Sequence, residues 1–139
     1  MGNKESTENN IEVLFSAFSC ANDAVPEISI NDYINRIIKY VRINKITFIL
    51  AMCYIRKIIK KNSYLEITES NKHRLICSAI LTAIIHLEDD IVCYKWYSQV
   101  CGISKDELER LVMSFIKLLD WELCCYDVVC TKIIKFKKL

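Results

Sequence analysis

Apolar residues recur along this chain at helical spacing, and in one place they fill a helix on every side. Leu75 to Leu87 reads LICSAILTAIIHL, thirteen residues without a formal charge. A helix lying on a surface carries one apolar stripe; a run with no polar side predicts a helix enclosed by others. It is too short to span a bilayer, which asks for roughly 18 or more apolar residues. Thr68 or Ser70 can cap its start, and Glu88, Asp89 and Asp90 return the chain to water. Ile76, Ile80, Ile84 and Ile85 lower its intrinsic helix preference, so packing must hold it.

The flanking pattern supplies the neighbours. Ser29 or Asn31 can open a helix running to about Arg42, with Tyr33, Ile34, Ile37, Ile38 and Val41 on one face. Lys45 to Lys61 predicts a second, turning Phe48, Ile49, Met52, Ile55 and Ile59 inward. After the central run comes a shorter helix near Tyr94 to Cys101, stopped by Gly102, where a left-handed residue costs glycine little. Ser104 and Glu107 have the spacing of a capping box, in which the serine oxygen takes one unpaired N–H and the glutamate reaches back to another. Leu108, Leu111, Val112, Phe115, Ile116 and Leu119 then form a helical stripe, and Asp127 can cap a last helix through Phe136. Met1 to Asn10 is polar and unpatterned. Residues 1–10 therefore read as a flexible tail, 11–27 as a short amphipathic helix and linker, and 28–139 as one helical domain with its C-terminal segment.

Composition agrees with an all-α domain: of 139 residues 53% are hydrophobic, with two Gly and one Pro. A formal net charge of +2 is too small for a nucleic-acid partner, which requires a basic face making many phosphate contacts. The eight cysteines include no C-x-x-C pair and only two histidines accompany them, so they read as small core residues of a reducing, intracellular compartment, not metal ligands. No secretory segment opens the chain. With no Gly-rich phosphate loop, no metal spacing and no catalytic Cys and His arrangement, the sequence predicts neither an enzyme nor a cofactor or small-molecule substrate.

Four ordered blocks carry a family resemblance: ISINDYINRIIKY, TESNKHRLICSAILTAIIHLEDD, VCGISKDELERL and FIKLLDWEL. Together they resemble a single cyclin box of the P-type, phosphate-pathway group, with some kinship to Y-type cyclins. The resemblance implies a five-helix core around a buried central helix, preceded by a short helix. It also implies a partner, a cyclin-dependent protein kinase, whose movable helix the box positions so that the catalytic lysine meets its glutamate. On this alignment His86, Leu87, Glu88 and Asp89 at the end of the central helix, with Val112 and Ile116 on the fifth, face the kinase.

Two departures matter. His86 stands where the family has a lysine and Val112 where it has a glutamate. Removing one member of a buried pair costs about 3 to 5 kcal/mol, whereas replacing both can be nearly neutral, so docking survives while activation is put in question. The family arginine of the first helix is Arg36, but Arg56 occupies the position of its usual aspartate. Arg36 is therefore expected to face inward onto another carboxylate or helix carbonyls, and Arg56 to extend to water. Asn35 and Lys39 replace apolar residues with which some cyclins dock substrates.

Met1-Gly2-Asn3-Lys4-Glu5-Ser6 also fits the N-myristoylation pattern on Gly2. One acyl chain binds membranes only marginally, so an anchor would need a basic face such as Arg56, Lys57, Lys60 and Lys61, or Lys132, Lys135, Lys137 and Lys138. The readings left open are a kinase regulatory or docking subunit, and a cyclin-fold scaffold or membrane-recruited adaptor that no longer activates a kinase.

Overall fold

The computed structural model describes residues 3–88 and 92–124, with side chains from Asn10 onward. Among the described residues are six α-helices and no strand: α1 (Asn3–Ser16), α2 (Ile30–Val41), α3 (Lys45–Lys61), α4 (Lys72–Leu87), α5 (Tyr94–Cys101) and α6 (Lys105–Leu118), with a 3-10 turn at Ala21–Asp23. The all-α expectation holds, and α4 is the central helix. Every residue from Cys77 to Ile84 is buried, more than two turns of helix, so all its sides are covered. Helices α2, α3 and α6 pack on it. Helix α5 reaches it through the Tyr97 hydroxyl, which donates to the Cys77 carbonyl at 2.7 Å.

Polar atoms inside this core are paired locally. Ser78 donates to the Arg74 carbonyl at 2.7 Å and Thr82 to the Ser78 carbonyl at 2.8 Å. The Tyr33 hydroxyl donates to the Cys101 carbonyl at 2.7 Å, tying α2 to α5. Burial pushes the phenol pKa of both Tyr33 and Tyr97 upward, which keeps them protonated donors.

Several expectations are corrected. Helix α1 begins at Asn3, so the polar segment up to Asn10 is helical where a flexible tail was expected. Its end and the turn after it supply the anchor: Phe15 in the helix and Phe18 just beyond it are buried, and the Phe18 ring meets Phe115 edge-on at 6.2 Å. Once that end is fixed, each further helical hydrogen bond orders only one more residue. On α3 Ile49 is buried as expected, but the rest of the inward face is Leu50, Cys53, Tyr54 and Ile58 with Thr47 and Ala51, while Phe48, Met52, Ile55 and Ile59 are half-buried against the edge of the core. The helix is apolar on most of its circumference, so periodicity could not choose the face; small Ala51 and Cys53 let α3 approach α4. Cys53, Cys77 and Cys101 are buried as expected, but Cys93 and Cys124 are exposed.

The caps differ too. Thr68 opens the turn leading into α4: its Oγ1 accepts from Asn71 N–H at 3.3 Å, its own N–H donates to Asn71 Oδ1 at 2.8 Å, and its carbonyl accepts from Lys72 N–H at 3.1 Å, whereas Ser70 does not cap, its Oγ accepting from Cys20 N–H at 3.1 Å. Ser104 caps α6 through Glu107 N–H at 3.1 Å, but the carboxylate of Glu107 leaves the capping box and accepts from Arg74 Nε at 2.7 Å. An ionised pair is the stronger hydrogen bond. Burial disfavours the charge on Arg74, and the Glu107 hydrogen bond and charge outweigh it, so the guanidinium pKa is raised. Glu107→Gln is expected to lower stability by about 1 kcal/mol, read as a urea midpoint shift at unchanged slope.

Past α6 the chain lies along α3. The Tyr54 hydroxyl donates to the Leu123 carbonyl at 2.6 Å, Lys57 pairs with Glu122 at 2.7 Å, and Lys61 pairs with Asp120 at 2.5 Å. The expected cap at Asp127 and helix through Phe136 lie outside the described residues.

Candidate functional site

The apolar helix α4 is enclosed until its last turn. Ile84 is 1% exposed; Ile85, the next residue, is 46% exposed and Leu87 37%. His86 and Glu88 are half-buried. A rod built to be surrounded thus presents two apolar side chains to solvent where its neighbours end. Ile46, at the start of α3, is exposed beside this end of the bundle, because the adjacent Thr47 hydroxyl lies 3.0 Å from Glu88 Oε1.

Glu88 has a structural partner. The Thr47 hydroxyl sits 3.0 Å from both Glu88 Oε1 and Asn44 Oδ1, so one proton is shared between two acceptors. Asn44 also caps α3 by accepting from Thr47 N–H at 2.9 Å. An acid at the end of α4 is unfavourable for that helix, but here it stands at the positive start of α3. This explains Glu88 without a partner protein. Thr47→Val should cost about 1 kcal/mol, measured by thermal unfolding, since it strips the carboxylate of its donor.

The remaining expected contact residues divide. His86 Nε2 lies 3.9 Å from Cys124 Sγ, a weak contact that leaves the imidazole at the surface of this end. Val112 is 5% exposed and belongs to the core, so the position aligned with the family glutamate contributes packing in place of a surface charge. Ile116 is half-buried against the core. Asp89 lies outside the described residues, as does Gly2. Sequence reasoning missed Ile85, Ile46 and the exposed Met113 of α6. The available signal was that an all-apolar run has no polar residue with which to mark where enclosure ends.

Arg36 does not face inward. It is exposed on α2 and forms no ion pair or hydrogen bond with the described residues, contrary to the expected carboxylate or carbonyl partner. Arg56 is exposed on α3, as expected. With Arg56 in place of an acid, nothing on α3 draws the Arg36 guanidinium in, and leaving it in water avoids an uncompensated buried charge. In the first basic face proposed for a membrane, Lys57 and Lys61 are already paired with Glu122 and Asp120, which leaves Arg56 and Lys60; the second, Lys132, Lys135, Lys137 and Lys138, lies outside the described residues. No helix among the described residues is long and apolar enough to cross a membrane.

A central helix enclosed by helical neighbours, in this order and number, is the architecture of a cyclin box. The family model described as Cyclin matches residues 2–123. Cyclin-U4-3 of Arabidopsis thaliana is 33% identical over 98 residues, which cover 70% of this chain and 45% of that protein. Cyclin-U4-2 of the same plant is 36% identical over 93 residues, covering 66% and 42%. Cyclin-P4-1 of Oryza sativa subsp. japonica is 29% identical over 93 residues, covering 66% and 43%. The chain belongs to the cyclin family. It spans less than half the length of these relatives.

Proposed function

We propose that this chain is a docking and regulatory subunit of a cyclin-dependent protein kinase, acting inside the cell. Cyclins are regulatory proteins, and their work is done by an interface. The observation that carries the reading is the end of α4, where Ile85 and Leu87 become exposed on an otherwise enclosed apolar helix, at the end of the bundle where Ile46 of α3 is also exposed. Exposed apolar side chains grouped at one end of a bundle suit the centre of a protein interface, where desolvated anchors supply most of the affinity. The kinase's movable helix is the element to be held there, as the family resemblance implies.

One observation favours a second reading. Neither His86 nor Val112 supplies the fixed charges of the family, and Val112 is buried. A box of this kind can dock a kinase without driving its helix into the active position, and so work as a scaffold or adaptor. An adaptor could be recruited to membranes through a myristoylated Gly2, with Arg56 and Lys60 the unpaired cations of the α3 face among the described residues.

The test is to isolate the intact chain from its own cells, identify bound kinases by mass spectrometry, and assay their phosphotransfer with and without the purified chain. A captured cyclin-dependent kinase whose rate rises supports the regulatory reading. A captured kinase of unchanged rate, or capture of none, supports the scaffold or adaptor and contradicts the regulatory reading.

A further inference from the structure

A second feature lies away from the end of α4. The start of α4, the end of α5 and the face of α2 carrying Arg36 enclose a cavity of about 240 Å³. Ile28, Val100 and Ile103 supply apolar wall, Arg36 and Arg74 supply positive charge, and His73, Tyr33 and Cys101 are the other titratable residues along it; no carboxylate is among the lining residues.

Both guanidinium groups have bonding capacity left over. Arg36 makes no ion pair or hydrogen bond with the described residues; Asp32, one turn earlier on α2, is not within ion-pair distance. Arg74 uses Nε on Glu107 at 2.7 Å and Nη1 on Cys20 Sγ at 2.8 Å, so Nη2 takes part in neither bond. His73 is 4% exposed, and its Nε2 lies 2.8 Å from the Ile28 carbonyl, to which it must donate. Its Nδ1 is buried and has no hydrogen-bond partner among the described residues. With the proton on Nε2, Nδ1 is an acceptor closed off from solvent, so the imidazole offers no donor to the cavity, whose positive character comes from the two guanidinium groups.

Two guanidinium groups from different helices, Arg36 and Arg74, set beside apolar wall, favour an oxyanion that accepts hydrogen bonds from several directions. A tetrahedral phosphoryl group does this better than a planar carboxylate. The apolar wall at Ile28, Val100 and Ile103 leaves room beside the anion for an organic substituent. We propose that this cavity binds a phosphoryl group, carried by a phosphorylated side chain or supplied as free phosphate. The site is separate from the proposed kinase contact, so it stands or falls independently of that reading.

The test is an NMR titration of the intact chain, following the Arg36 side-chain Nε–H and the Gly102 amide, at constant ionic strength. The probes are inorganic phosphate, a five-residue peptide with a central phosphoserine between valines, and the same peptide with glutamate at the centre. Arg36→Gln alters an exposed side chain and should leave the fold intact, while Lys60→Gln on α3 controls for loss of any surface cation. The expected result is saturable shifts at both probes, weakened about tenfold or more by Arg36→Gln and unchanged by Lys60→Gln. Tighter binding of the phosphopeptide than of phosphate identifies a phosphorylated side chain as the source; equal binding identifies the free anion. Absence of saturation with either phosphoryl probe, an undiminished affinity in Arg36→Gln, an equal loss in Lys60→Gln, or equal binding of the glutamate peptide would overturn the proposal.

Discussion

Aspartate in place of both Ile85 and Leu87 is expected to weaken capture of a cyclin-dependent kinase by about a hundredfold while leaving the fold intact. Both side chains are exposed, so stability should stay within about 0.5 kcal/mol of the parent chain, which thermal unfolding can verify. The loss is expected because an apolar anchor that enters a desolvated pocket cannot be exchanged for a carboxylate that must remain hydrated. Surface plasmon resonance against the kinase recovered from cells gives the ratio directly. His86→Lys is the informative companion, since it restores the family charge on a half-buried position. Val112→Glu is not its equivalent: it would place a carboxylate in the core, costing several kcal/mol before any partner is met.

Leu81→Lys, in contrast, should abolish folding. Leu81 is 0% exposed at the middle of α4, with buried residues before and after it, so an ammonium group there reaches neither water nor a carboxylate. A domain stabilised by about 5 to 15 kcal/mol cannot hold such a charge. The milder Leu81→Ala should cost about 2 to 5 kcal/mol through lost transfer energy and the cavity left behind. Far-UV circular dichroism and urea unfolding distinguish the three chains. A folded Leu81→Lys chain with near-parental stability would mean that α4 is not enclosed.

The central helix was legible because LICSAILTAIIHL has no polar side on which to rest at a surface, and the helices around it were legible from apolar spacing bounded by Ser29, Gly102 and Ser104. Periodicity failed where it carried little information. On α3 most of the circumference is apolar, so the choice between Leu50, Cys53, Tyr54 and Ile58 and the alternative face fell to steric fit with α4. At the start of α1, polar residues became helical because an apolar anchor followed them. Glu107 had the spacing of a cap but found a guanidinium, which no local rule could foresee because Arg74 lies thirty-three positions earlier.

The candidate site was legible in place more than in chemistry. The family alignment points to the end of α4, but the residues it picks include Val112, which the fold buries, and omit Ile85, which it exposes. Glu88 invited a functional reason and received a structural one from Thr47. Arg36 was expected to find an internal partner; the replacement of an acid by Arg56 removed the attraction, and the freed guanidinium borders a cavity of its own.

Amide hydrogen exchange of the intact chain, alone and with its captured kinase, tests the kinase-docking account most directly. Kinase-dependent protection is predicted at Ile85 to Glu88 and in the first turn of α3. Protection elsewhere with unchanged exchange at those residues would contradict it.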